Sequence, residues 1–270
     1  MSASGPAPEA AANAVAAAET GLLEVRGLVK RFGGVTAVNA LDMTVRPGDI
    51  HALIGPNGSG KTTTLNVISA LYRADGGSLR FDGAELIGRP SHAIAKLGIA
   101  RTFQNIRLFG DLSVIENVMI GRHVRTRTGF IGALLPGGAT AREERATRAR
   151  ALELLRFVDL ESAAGAAARS LPYGDQRRVE IARALASEPR LLLLDEPAAG
   201  MNPAEGADLM RLIRAIRDRG VTVLLIEHHM HVVMGISDRV VVLDHGQKIA
   251  EGSPEAIRRD PRVIEAYFGR

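Results

Sequence analysis

The stretch GPNGSGKTT, residues 55–63, constrains this chain more than any other. It follows LDMTVRPGDIHALIG, which reads as strand, Pro-Gly turn and strand, and it opens the helical pattern KTTTLNVISALY. The pattern is G-x-x-x-x-G-K-[ST] in its confirming context, strand before and helix after. Gly55, Gly58 and Gly60 let backbone N–H groups converge on an anion without side-chain clash, with Pro56, Asn57 and Ser59 between them. The N-terminus of the following helix adds positive potential. A ligand carrying several phosphates fits such a loop. Lys61 is placed to reach the β/γ-phosphates and Thr62 to offer its hydroxyl to Mg²⁺, and Thr63 is the last candidate nucleotide-binding residue of the stretch.

A second feature supplies what a phosphate loop alone lacks. LLLLDEP, residues 191–197, is a continuous apolar run ending in two acids. A run of that kind is a fully buried strand, and ligands of open α/β sheets bind at the C-terminal ends of strands. Asp195 is thereby a candidate Mg²⁺ ligand, and Glu196 a candidate general base for an attacking water. VTVLLIEH and RVVVLDHG repeat the same apolar style, alternating with helical patterns over 174–187, 203–219 and 229–236. Buried strands alternating with helices predict an α/β fold with a parallel sheet. Residues 111–170 differ in character and read as helices inserted into that core, with 129–140 as a loop interrupting them. SHAIAKLG reads as a short helix capped by Ser91. In the tail, Ser253-Pro254 and Asp260-Pro261 each place a cap residue before a proline at the first helical position.

Composition narrows the class. The 270 residues are 46% hydrophobic and 24% charged, ordinary for a water-soluble globular protein. There is no cysteine, which removes disulfides and Cys-based zinc sites. No apolar stretch is long enough to span a bilayer. Residues 1–20 are rich in Ala, Pro and Ser and lack a basic n-region, so a disordered extension is expected instead of a signal peptide. The net charge of +4 permits an acidic partner or membrane surface without requiring either.

With GPNGSGKTT, RTFQN, LPYGDQRRVEIARAL, LLLLDEPAAGMNP and LLIEHHM present in that order, residues 22–270 resemble an ATP-binding cassette (ABC) ATPase. The resemblance implies a P-loop NTPase fold with a RecA-like parallel-sheet core, an antiparallel β subdomain and an inserted helical subdomain. On that basis the ATPase domain is 21–270: core about 21–104 and 174–250, helical subdomain about 105–173, and C-terminal helical tail 251–270. It implies further roles. Phe32 matches the aromatic that stacks on adenine. Gln104 matches the glutamine that touches Mg²⁺ and the attacking water, and its loop senses the partner subunit. His228 matches the switch histidine that contacts the γ-phosphate and orients Glu196. Leu171, Tyr173, Gly174 and Asp175 fall in the signature motif, which in this family reaches the ATP held by a second cassette packed head to tail. ATP and Mg²⁺ are the implied cofactors.

Departures from the family pattern matter here. The signature's commonest form is Leu-Ser-Gly-Gly-Gln, and here Pro172, Tyr173 and Asp175 replace the serine, the first glycine and the glutamine. Asn202 stands where many relatives have an aspartate. RTFQNIRLFGDLSVIENVMIGRH, AAGMNP and DPRVIEAYFG resemble the cassettes of branched-chain amino-acid importers, in which the LPYGDQ style of signature is at home. That implies a second cassette, membrane permease subunits and, indirectly, a solute-binding protein as partners, at the cytoplasmic face of the membrane. Other readings remain open at this level: a soluble ABC ATPase of DNA repair or translation, a lipopolysaccharide-export cassette, or a small-molecule P-loop kinase. The first lacks its usual second cassette, coiled coil or zinc insert. The arginines Arg122, Arg125, Arg127, Arg142, Arg145, Arg148 and Arg150 suit a solvated helix face, an anionic membrane surface or nucleic-acid phosphates. Nucleic acid is not expected, because Phe130 is the only aromatic among them. The run HHMH, with His228, His229 and His231, invites a metal reading but does not complete a tetrahedral site.

Overall fold

The chain alternates strands and helices from Leu23 onward in a computed structural model that describes residues 21–125 and 138–268. In chain order the elements are β1 (Leu23–Phe32), β2 (Val35–Val45), β3 (Ile50–Ile54), α1 (Lys61–Ile68), β4 (Gly76–Phe81), β5 (Ala84–Glu85), α2 (Ser91–Leu97) and β6 (Ile99–Arg101). Next come α3 (Val114–Gly121), α4 (Gly138–Phe157), α5 (Tyr173–Ala186), β7 (Leu191–Asp195), α6 (Pro203–Asp218), β8 (Thr222–Ile226) and α7 (Met230–Ile236). Then β9 (Arg239–Asp244), β10 (Gln247–Gly252), α8 (Pro254–Arg259) and α9 (Pro261–Phe268) complete the described chain. The expected N-terminal extension, 1–20, and most of the expected loop, 129–137, lie outside the described residues; residues 138–140 already belong to α4.

Two sheets form. One has the order β10-β9-β3-β8-β7-β6, the other β2-β1-β4-β5. In the first, β3, β6, β7, β8 and β9 run parallel, and only β10 is antiparallel, to β9. The second is antiparallel throughout. Every residue of β3, β7 and β8 is buried. Their alternate side chains serve different faces, as the period of two requires. Leu191, Leu193, Leu224 and Ile226 pack with Leu23, Leu28 and Leu41 of the antiparallel sheet. Leu192, Leu194, Val223 and Leu225 pack instead with helical residues such as Ile181, Ile213 and Leu155. Burying each such side chain contributes about 1.5–3 kcal/mol, so the LLLL run is held from both sides.

The segment between β6 and β7 carries the helical lobe. Ser113 caps α3 through a capping box: its hydroxyl accepts from Glu116 N–H, while its own N–H donates to the Glu116 carboxylate at 2.8 Å. Helix α4 packs on α3 and α5 through Ala151, Leu154 and Leu155, with Val158 just past its end. These residues join the same buried cluster as Leu192 and Leu194, so the lobe shares its core with one face of the parallel sheet.

One local expectation is corrected. Ser91 does not cap α2; Pro90 holds the N-cap position, and Ser91 is already helical. Its hydroxyl donates to Ala70 O at 3.2 Å instead, tying α2 to the turn after α1. In the tail, Ser253 does accept from Ala256 N–H, and Asp260 accepts from Arg262 N–H at 2.9 Å. The arginines of 122–150 are partly engaged internally. Arg122 pairs with Glu188 at 2.7 Å, Arg125 donates to the carbonyls of Ser187 and Glu188, and Arg150 pairs with Glu153. The first two thereby place cations at the carbonyl end of α5, where they are favoured. Arg127 lies outside the described residues.

Candidate functional site

The strand order brings the chemistry together. β3, β8 and β7 are neighbours and parallel, so the loops leaving their C-terminal ends share one edge of the sheet. The phosphate loop leaves β3, Asp195 ends β7 with Glu196 next, and His228 follows β8.

The loop's shape depends on Gly60, which caps α1 at φ 99° in the left-handed region. A side chain there would place its Cβ 2.4 Å from Ala37 O, so no other residue fits. Lys61 is buried, and its ammonium donates to Gly55 O at 2.7 Å and Pro56 O at 2.8 Å. Burial pushes the Lys61 pKa down, opposed by the carboxylates of Glu196 and Asp195. Ser59 is buried within the loop, and its N–H donates to Pro56 O. A cleft of about 360 Å³ opens over this loop. Asn57, Gly58, Thr62 and Thr63 line one side of it, and Gln104 and Glu196 the other.

Gln104 Nε2 donates to Glu196 Oε2 at 2.8 Å. His228 Nδ1 stands 3.7 Å from the same oxygen, within ion-pair range but beyond a hydrogen bond. Glu196 has a left-handed backbone, φ 47°, although it is not glycine. Conformations of that kind cost energy and cluster at functional sites. Here the conformation is held by Glu196 N–H donating to Ile226 O of β8.

Asp195 is almost fully buried, and its Oδ2 accepts from Arg101 at 2.9 Å. The same guanidinium donates to Asn66 Oδ1 and Ser69 Oγ, both at 2.8 Å. The other carboxylate oxygen, Oδ1, is buried without a hydrogen-bond partner. An anionic acceptor with a free lone pair, next to a cleft wall carrying the Thr62 hydroxyl and the Gln104 amide, is a donor set of hard oxygens that suits Mg²⁺. Sequence patterns did not reveal Arg101. Replacing it with Met is expected to cost about 3–5 kcal/mol in chemical unfolding without nucleotide, because it leaves a buried carboxylate uncompensated; a loss under about 1 kcal/mol would show that water reaches Asp195.

Other expected residues fall elsewhere. Phe32 ends β1 with 43% of its surface exposed, outside the lining of the phosphate cleft. Its ring meets Tyr72 edge to face, with centroids 5.2 Å apart, and Lys30 sits over it at 5.1 Å. Tyr72 is a second aromatic that motif reading missed. Leu171, Tyr173, Gly174 and Asp175 lie at the start of α5, also outside the phosphate cleft of their own chain. Asn202 caps α6: its side chain accepts from Ala204 and Glu205 N–H, and Glu205 returns a bond to Asn202 N–H. The departure at Asn202 is thus a good helix cap.

Part of the histidine run gathers beside an acid. Glu227, His228 and His229 lie close enough to share an ion. Yet the fully buried Glu227 carboxylate already accepts from Ala198, His228 and His229 N–H and engages the His229 ring at 3.0 Å. Its lone pairs hold the turn after β8. His231 lines a separate apolar groove beside Met230 and Tyr267.

The chain as a whole is similar to known proteins. Residues 38–199 match the family model described as ABC transporter, and residues 247–270 match that of the branched-chain amino acid ATP-binding cassette transporter. The chain is 47% identical over 249 residues to the high-affinity branched-chain amino acid transport ATP-binding protein BraF of Pseudomonas aeruginosa, covering 92% of this chain and 98% of that one. It is 45% identical to LivG of Escherichia coli, a protein of the same description, with the same coverage. A nucleotide-free ATP-binding cassette from an ABC transporter superposes with a TM-score of 0.81 at 31% identity, covering 92% of this chain and 99% of that one. A dimeric cassette bound to ADP and Pi superposes at 0.73 with 26% identity, covering 86% and 98%.

Proposed function

The chain belongs to the ABC transporter family and is an ATPase of that family, and from that premise we propose how its residues turn over ATP and what the turnover drives. The observation that carries the reading is the convergence of Lys61, Glu196 and Gln104 on one cleft, with His228 within reach of Glu196.

Phosphates of ATP lie along the loop from Gly55 to Thr63, with Lys61 exchanging its carbonyl partners for phosphate oxygens. The exposed face of Phe32 stacks on adenine. Mg²⁺ entering with ATP would be held by Thr62, Asp195 and Gln104, and it supplies charge neutralisation on the β- and γ-phosphates. Glu196 takes the proton from water as the water oxygen bonds to the γ-phosphorus and the bond to the ADP oxygen breaks. Gln104 and His228 orient Glu196 and the water. The signature residues lie outside their own chain's phosphate cleft, and the resemblance to ABC cassettes, some of which are solved as dimers, supports the ATP of a second cassette packed head to tail as their ligand. Pro172, at the N-cap of α5 with φ −54°, pre-orders that helix start.

The pair then sits at the cytoplasmic face of the membrane under two permease subunits. No described helix is long and apolar enough to cross a membrane itself. ATP binding closes the pair and turns the permeases outward, and hydrolysis resets them. Similarity to BraF and LivG supports branched-chain amino acids as the cargo, delivered by a solute-binding protein. Uptake of labelled leucine by a strain lacking this chain tests the cargo. Uptake is expected to fall and to return on complementation, whereas unchanged uptake of leucine, isoleucine and valine would exclude it.

A further inference from the structure

Outside the cleft, the Arg177 guanidinium is fully enclosed on α5. Its NH1 donates to Phe103 O and to Glu180 Oε2, each at 2.6 Å. Its NH2 donates to Gln104 O at 2.7 Å and to the Tyr173 hydroxyl at 3.3 Å. Glu180, one turn further along α5 and equally buried, accepts from Phe103 N–H at 3.3 Å and Arg107 N–H at 3.5 Å. One ion pair thus clamps the backbone of the Gln104 loop to the helix that begins with the signature. The Gln104 side chain, on that clamped backbone, touches Glu196 at 2.8 Å.

A buried ion pair is a weak device for stability, since desolvation of both charges offsets most of their attraction. It is a strong device for fixing geometry. The planar guanidinium here serves two consecutive carbonyls, a carboxylate and a phenol at once, which an ammonium cannot do. We propose that Arg177, locked by Glu180, is a positioning residue for hydrolysis, which rigidly couples the signature end of α5 to Gln104 and through it to Glu196. The inference rests on the ATPase reading above. It gives Tyr173 a purpose: the ring that replaces a glycine in the signature supplies the phenol on which Arg177 also rests. A displacement of the signature by an opposing nucleotide then moves the Gln104 backbone as one body with α5.

The test uses the full-length chain, purified as its cassette pair, with Mg–ATP. Arg177→Lys is expected to lower kcat about 10- to 100-fold, the scale set by ångström-level misplacement of a catalytic group. KM for ATP should stay within about twofold, because no nucleotide contact is removed. Gln104→Ala should mask the effect, so that the double variant is as slow as Gln104→Ala alone. Additive losses would overturn the proposal. Arg177→Met with Glu180→Leu replaces the pair by apolar side chains and tends to restore stability. That variant should melt near the unmodified chain yet remain slow; recovery of kcat with stability would reduce Arg177 to a structural role. Amide exchange at residues 103–107 in Arg177→Lys is expected to quicken by about tenfold or more, and unchanged exchange would also overturn the link. That measurement needs no hydrolysis. Absence of turnover in the unmodified pair would count against the ATPase reading alone.

Discussion

Glu196→Gln is expected to abolish steady-state ATP turnover while stabilising the ATP-bound pair. Glutamine keeps the size of the side chain and can still meet Gln104 and His228, which now stand 2.8 and 3.7 Å from Glu196 Oε2. It cannot accept the proton of the attacking water. Loss of a positioned general base costs about 10²–10⁴-fold. Binding is spared, because Lys61, the phosphate loop and Asp195 are untouched, so ATP accumulates unhydrolysed between the cassettes. Phosphate release and light scattering with Mg–ATP measure the two effects. Turnover within about twofold of the unmodified chain would exclude Glu196 as the base, since no base-catalysed step tolerates that change.

Gly174→Asp is the second large effect, and here the single chain and the pair are expected to respond differently. A Cβ at Gly174 would meet the Glu205 side chain, with Oε1 nearest at 3.5 Å, an ordinary contact. An acid in the first turn of a helix is also favoured by the helix dipole, which offsets repulsion from Glu205. The melting temperature of the isolated chain should therefore barely move. In the head-to-tail pair proposed above, the same carboxylate would stand beside the backbone N–H groups and face the other subunit's γ-phosphate, and hydrolysis should fall by about 10²-fold or more. Pro172→Ser, by contrast, should retain activity, since Pro172 offers no donor to lose. Full activity in Gly174→Asp would mean that the signature does not meet the opposing nucleotide.

Much of the site was legible because its chemistry is written in contiguous residues. GPNGSGKTT needs its glycines and lysine adjacent, and LLLLDE needs its acids at the end of an apolar run. The parallel core followed from the same runs, since strands buried on both faces lose their polar alternation. Other features were not legible. Arg101 reads as an ordinary residue of RTFQN until β6 lies beside β7 and its guanidinium meets Asp195. Glu227 reads as an ordinary strand-end acid until three backbone N–H donors are seen to converge on its buried carboxylate. Ser91 has the composition of a cap, but a hydroxyl that finds Ala70 O across a turn has no need of its own helix.

The sequence by itself determined the phosphate loop, the acid pair and the alternation of strands with helices, because each depends on neighbours along the chain. Only the tertiary structure decided which charges answer one another. Arg177 and Glu180 lie one turn apart on α5, but the partners that give them meaning, Phe103, Gln104 and Arg107, come from a loop more distant in sequence. Buried charges take whatever acceptors the fold brings within about 3 Å, and that proximity is a property of packing that no local pattern encodes.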